Sequence, residues 1–161
     1  MSLRFFRRKD PRTNYLNRAV IGLGVGLVKS RNYLLHPEID PQATMDVLST
    51  WMGHEIAKEM LAQRKITPHT RKNEVLEKLL DEARIAEDLT VVFKDNKAHI
   101  TVQKCLICPR RIGGYDLEGL TACPVGGLVR GALNLVTGKS PQITRIDLRT
   151  AEICQIDFEL D

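Results

Sequence analysis

All four cysteines of this chain fall in its last third, at Cys105, Cys108, Cys123 and Cys154. That placement constrains the fold more than any other feature of the sequence. Cys105-Leu106-Ile107-Cys108 is a Cys-x-x-Cys pair, a spacing that lets two sulfurs on one short turn share a cation, while two distant sulfurs can complete a tetrahedron. If one ion takes all four, the segments that carry them must meet, and ion binding contributes to folding itself. Zinc in a structural site takes four nitrogen or sulfur ligands and keeps no open position. The sequence therefore points to zinc, with Cys105, Cys108, Cys123 and Cys154 as its ligands. An iron–sulfur cluster is the alternative cofactor, because Cys108-Pro109 and Cys123-Pro124 are Cys-Pro dipeptides of the ferredoxin kind, although the dense ferredoxin cysteine run is absent. A redox dithiol at Cys105 and Cys108 lacks its usual βαβ context. Four buried free cysteines, acting as small hydrophobes, are the plain alternative.

The length of 161 residues, with 43% hydrophobic and 27% charged, suits one globular body with a real core. The net charge of +4 is unevenly spread. Arg4, Arg7, Arg8, Lys9 and Arg12 against Asp10 account for all of it, so residues 13–161 balance to zero. A nucleic-acid partner is not expected, because positive charge would then extend over the folded body. The basic arm, with Phe5 and Phe6, is read as a frayed or partner-docked terminus, with peripheral contact to an anionic membrane surface as the other use. Residues Ala19 to Val28 are uninterruptedly apolar but too few to span a bilayer, and no clear cleavage site follows them. A cytoplasmic protein without a membrane span is expected, in which cysteines serve metals more readily than disulfides.

Taken in order, residues 13–35 read as a helix interrupted by Gly22, Gly24 and Gly26, which suit close packing at a subunit interface or a buried crossing. Asp40-Pro41 reads as an N-cap followed by proline at the first helical position. The helix it opens carries Leu48, Met52 and Ile56, with Met45, Trp51 and Met60 beside them, at helical spacing. A second helix runs from Lys72 to about Glu87. The apolar period then changes from 3.6 to 2: Leu89 to Phe93, a turn at Asp95-Asn96, and Ala98 to Lys104 form a hairpin. Residues 117–137 give a third main helix, begun or kinked by Pro124 and capped by Gly138. Strands Ile143–Leu148 and Ile153–Leu160 follow, joined near Arg149-Thr150, with Cys154, Ile156, Phe158 and Leu160 on one face. The fold class is α+β, an antiparallel sheet packed with helices.

Leu48 to Ala57, the strand Ile100-Thr101-Val102 leading into Cys105, Cys123 with Gly126 to Leu133, Gly138, and the terminal strands ending at Phe158 resemble, in order and spacing, the 4-vinyl reductase domain family. This family includes archaeal hydrocarbon-binding proteins and is distantly related to the small subunits of the TRAPP vesicle-tethering complex. The resemblance covers residues 44–161 and leaves 1–43 as the basic arm and glycine-rich helix. It implies a homodimer that binds an apolar small molecule, with Cys123 and Cys154 matching the family's first and last cysteines. Its additional cysteine on the penultimate strand has no counterpart in Ile143 to Asp147, where Cys105 and Cys108 would have to substitute.

On that reading Trp51, Met52, His54, Ile56, Leu79 and Phe93 line the ligand pocket, and Arg110, Arg111 or Arg130 holds an anionic end of the ligand. For a lone histidine such as His54, a half-exposed position beside the core is the ordinary alternative. No paired carboxylates, nucleophile elbow or phosphate loop are visible, and no histidine has an obvious carboxylate partner in sequence. A non-catalytic sensing or carrier domain is expected. A metal-stapled interaction module without a ligand, or an iron–sulfur subunit of a reductase, stands beside it.

Overall fold

Asp40 starts the helix around which the other elements are arranged. Its carboxylate accepts from the backbone N–H groups of Gln42 and Ala43 at 2.9 and 3.0 Å, and Pro41 occupies the first turn, where no N–H is needed. The structure, a computed structural model, describes residues 2–4, 11–32, 37–108, 122–147 and 153–160. In chain order its elements are β1 (Ser2–Arg4), α1 (Pro11–Asn32), α2 (Pro41–Ala62), α3 (Lys72–Ala83), β2 (Ala86–Lys94), β3 (Lys97–Cys105), α4 (Val125–Thr137), β4 (Gln142–Asp147) and β5 (Ile153–Glu159). The fold is α+β. Its sheet has the order β1-β2-β3-β5-β4 with every neighbour antiparallel, four strands of six to nine residues and the short β1 at one edge.

Period-two alternation sets which sheet face enters the core. Ala98, Ile100 and Val102 of β3 are buried, and they lie beside Phe158, Ile156 and Cys154 of β5 in register. Leu89 and Val91 of β2 join them, and α3 adds Val75, Leu76, Leu79 and Leu80. From α4 come Leu128, Val129, Ala132 and Leu133, and from α2 Ala57 and Met60, all in one continuous core.

Packing is closest between α2 and α4. A Cβ placed on Gly131 would lie 1.8 Å from the carbonyl oxygen of Thr50, one on Gly53 would lie 2.0 Å from that of Leu128, and one on Gly127 would lie 1.9 Å from Ser49 Oγ. Glycine is therefore the residue these three contacts admit. The hydroxyls in the crossing stay satisfied: Ser49 donates to the carbonyl of Met45 at 2.6 Å and Thr50 to that of Asp46 at 2.6 Å.

This crossing corrects the helical face read from the sequence. The buried side of α2 is Pro41, Met45, Ser49, Gly53, Ala57 and Met60, whereas Trp51 is 65% exposed and Leu48 38%. Small residues face the partner helix because backbones meet there, Met52 and Ile56 pack against the core at the margin, and Val47, Leu48 and Trp51 are turned away. The second helix is also shorter than its period suggests. Arg84 takes a left-handed conformation (φ 47°) and ends it, so that β2 begins at Ala86. Residues 2–4 of the basic arm, expected to fray, pair as a strand with Thr90–Val92. The third helix starts at Val125, with Pro124 as its N-cap, and closes at Gly138 in the left-handed region (φ 71°). Residues 117–121 and the turn at 149–150 lie outside the described residues.

Gly131→Ala should lower unfolding free energy by about 3 kcal/mol or more, because the added methyl can be accommodated only by separating two backbones. Thermal melts followed by circular dichroism check this; a melting point unchanged within error would show that the helices are not in backbone contact.

Candidate functional site

The four cysteines come from three separated parts of the chain, and each is placed by a local backbone feature. Cys105 ends β3. Strand alternation after Ala98, Ile100 and Val102 would bury residue 104 and expose residue 105. Lys104 instead adopts φ 51°, its side chain goes to solvent, and Cys105 becomes buried at 6% exposure. The ladder continues past it, since the N–H of Leu106 donates to the carbonyl of Ile85 at 2.7 Å. Ile107 is buried in the bend that follows, and half-buried Cys108 closes the Cys-x-x-Cys pair. Cys154 lies opposite Val102 in register, buried on the core face of β5 as its alternation predicts.

Cys123 is held from outside its own segment. Its backbone N–H donates to Gln42 Oε1 at 2.8 Å, and Gln42 Nε2 donates back to its carbonyl at 2.9 Å and to Asp46 Oδ1 at 2.8 Å. One side-chain amide of α2 thus pairs with the backbone of Cys123 as a strand neighbour would. Burial raises the pKa of Asp46, against the Gln42 hydrogen bond and the charge of Arg130, which both lower it.

The thiols are electrostatic neighbours. Burial pushes Cys123 well above the ordinary thiol value, and negative charge on Cys105, Cys154 or Cys108 would push it further. Burial pushes Cys105 up to about 12, with Cys108 and Cys154 acting on it in the same direction. Opposing these effects, backbone N–H groups face two of the sulfurs: those of Ile107 and Cys108 at Cys105, and that of Val125 at Cys123. Such N–H groups favour a thiolate over a thiol. Proximity is not coordination, however. Among the described residues no group of three or more His, Cys, Asp or Glu is arranged to hold a metal ion as it lies. The sulfurs are close enough to feel one another's charge and not drawn into a closed ligand set.

The residues expected to line a pocket fall into two groups. Leu79 is fully buried in the core, and Met52, Ile56 and Phe93 pack against that core. Trp51 stands outside it, its ring edge-on to His54 at 5.6 Å. His54 Nδ1 is 3.4 Å from Glu55 Oε1 without hydrogen-bond geometry. Arg130 sits beside Asp46, and Arg110 and Arg111 lie outside the described residues.

Sequence reasoning missed one constellation. On the outward face of the sheet, His99 Nδ1 pairs with Asp157 Oδ1, and His99 Nε2 is 3.4 Å from Thr101 Oγ1. Asp157 is opposite His99 in register, so the carboxylate partner comes from a strand 58 residues away. The signal was present only as alternation: His99 and Asp157 each flank an isoleucine that faces the core, and nothing local says that β3 pairs with β5. A hydroxyl, imidazole and carboxylate in this order can orient a proton. The pair is partly open to solvent and the hydroxyl contact is long.

A thiol at about 12 is almost wholly protonated at pH 8, and its thiolate fraction is roughly a thousandfold below that of a thiol at the ordinary 9.0. In metal-free native protein Cys105 and Cys123 should therefore resist iodoacetamide at pH 8 and react on unfolding. Peptide mass mapping reads this out, and rapid native labelling at both would contradict the burial described here.

The likeness to the 4-vinyl reductase domain family is overturned by comparison with known proteins. The chain matches the MJ0207 family over residues 16–160, which runs from within α1 through β5, and no match to a 4-vinyl reductase domain accompanies it. A relative from Methanocaldococcus jannaschii, described as uncharacterized protein MJ0207, is 27% identical over 152 residues, covering 94% of this chain and 93% of the relative. The likeness rested on the order of a glycine-bearing helix and two terminal strands, which in this chain serve the crossing of α2 and α4 and the sheet. With nearly its whole length inside the match, the chain belongs to the MJ0207 family.

Proposed function

We infer that the protein is a metal-binding domain whose Cys105, Cys108, Cys123 and Cys154 take one thiophilic cation, zinc before any other. One observation carries the reading: sulfurs from β3, the bend after it, the approach to α4, and β5 come near enough that charge on the others acts on Cys105 and Cys123, with backbone N–H groups directed at those two. In an apolar end of a core those N–H groups have little purpose beside neutral thiols. Beside thiolates they stabilise charge that burial otherwise forbids. A cation supplies the remaining compensation, since a coordinating thiol is deprotonated outright. The same burial speaks against a nucleophilic or redox role, because the thiolate is the reactive species and reactive cysteines carry lowered pKa values.

The role is that of a stapled binding module. Closing the ligand set would tie β3, α4 and β5 at one end of the sheet, so ion binding and folding would be coupled. The apolar-ligand reading depended on the resemblance now set aside, and the residues chosen for its cavity serve mainly as core. The iron–sulfur alternative keeps its two Cys-Pro dipeptides and shares the same four ligands.

Elemental analysis of anaerobically purified protein should give one zinc per chain. A brown protein with iron would replace zinc by a cluster, and a metal-free protein that takes up neither metal on reconstitution would remove the proposal. Stripping the ion with a chelator should lower stability by about 4 kcal/mol when free zinc had stood a thousandfold above its dissociation constant.

Gln42→Ala tests positioning separately from ligation. It removes both hydrogen bonds to the Cys123 backbone and none of the sulfurs. Metal affinity, measured by competition with a chromophoric chelator, should fall 10- to 100-fold, the range for outer-shell partners. An unchanged affinity would mean that Cys123 is not a ligand or that its segment is held by other contacts.

A further inference from the structure

Helix α1 is apolar all round over nearly three turns, yet only one side of it has a partner among the described residues. From Ala19 to Val28 there is no polar side chain. Ile21, Val25 and Val28 are buried, Val28 against Met45 of α2. The opposite side carries Leu16, Ala19, Gly22, Leu23 and Gly26 at helical spacing, with Leu16 71% and Leu23 41% exposed. A Cβ on Gly22 or Gly26 would meet nothing within 4 Å. A helix apolar on every side belongs inside something. The run is too short to cross a bilayer, and no helix among the described residues is long and apolar enough to do so.

A second apolar strip is carried by α2. Val47 is 60% exposed, Leu48 and Trp51 are also open, and Leu48 sits one turn from both Met45 and Met52. Met45 clusters with Val28 and Leu27 of α1, so this strip runs out from the seam between the two helices. It is bulky where the α1 strip is flat.

We propose that these two strips are the self-association surface of the protein, with α1 of each copy lying on α2 of the other about a two-fold axis. Such an interface is isologous: the knob formed by Trp51 and Val47 enters the glycine-floored strip of the partner, and the partner's knob enters its own. Charge selects this pairing over α1 against α1. Helix α1 carries Arg18, Lys29 and Arg31 and no acid, so two copies in contact would set like charges together. Helix α2 carries Glu55 and Glu59 against Lys58 beyond its apolar strip and offers the opposite sign. Area agrees. At roughly 150–250 Å² for a fully exposed large side chain, Leu16, Leu23, Val47, Leu48 and Trp51 leave on the order of 500 Å² open. That is more than half of the roughly 800 Å² that each partner contributes to a standard interface. The glycine strip and flanking charges add to it.

The proposal does not depend on the thiol site, and its test uses the full chain. Sedimentation equilibrium should show a dimer. Trp51, as the only tryptophan, should report it directly, with emission shifting to the red as the protein is diluted into monomer. Gly26→Leu is the decisive variant. Nothing in the monomer opposes the new side chain, so helicity and melting should persist at low concentration. The dimer dissociation constant should rise at least tenfold. A wild-type protein that stays monomeric with a red-emitting tryptophan at its highest soluble concentration would overturn the proposal. A dimer indifferent to both Gly26→Leu and Trp51→Glu would overturn it equally, since it would use another face.

Discussion

Direct contact between the backbones of α2 and α4 is the constraint on which most of this structure depends. Three glycines make it possible, and each is bound to a definite neighbour: Gly53 to the carbonyl of Leu128, Gly127 to Ser49 and the carbonyl of Asp46, Gly131 to that of Thr50. Close approach of this kind replaces interdigitated large side chains with continuous short-range dispersion between main chains. It also dictates orientation. Once Ser49 and Gly53 must face α4, the 3.6-residue period turns Val47, Leu48 and Trp51 away. The crossing therefore sets the outward direction of position 51, though not the choice of tryptophan there.

The same crossing reaches the cysteines. Gln42 and Asp46 lie on the first two turns of α2, and through them that helix holds the backbone of Cys123 just ahead of α4. The sheet contributes by a different device. A left-handed Lys104 turns Cys105 inward at the end of β3, while ordinary alternation turns Cys154 inward on β5. Two unrelated pieces of backbone geometry thus bring sulfurs to one end of the core. Any chemistry there inherits its precision from a helix pair that contains no cysteine.

Much of the fold was legible in the residues because the relevant forces are local. The Asp40-Pro41 cap, the change of period near Leu89, the turn at Asp95 and the Gly138 stop each act within a few positions. What could not be read depends on distant partners. The inner face of α2 was misassigned because hydrophobic periodicity weighs side-chain size, and here smallness decided. Helix α3 stops at a left-handed arginine, a conformation no propensity assigns to Arg84. The pairing of β1 with β2, and of His99 with Asp157, required knowing which strands are neighbours. At the cysteines, residue type and spacing named the four sulfurs, while the amide of Gln42 that seats one of them was invisible across 81 residues.

A likeness built from glycine helices and terminal strands is weak ground for function, because packing alone demands those features. A helix that must touch another at its backbone needs glycine at one-turn intervals, whatever the protein does. A strand pair that must cover it needs alternating apolar residues. Chains from unrelated families converge on such strings, and the activity of one does not pass to another through them. The residues that distinguish this chain are the ones its packing does not require. Thiols with N–H groups aimed at them, and a helix left apolar on its outer side, both have costs in an isolated monomer. An unionised thiol gains little from those donors, and exposed leucine and tryptophan surface remains unburied in water. Features that are unfavourable in the lone chain and would be relieved by a specific addition are the grounds for proposing that addition: a cation in one case, a second copy in the other.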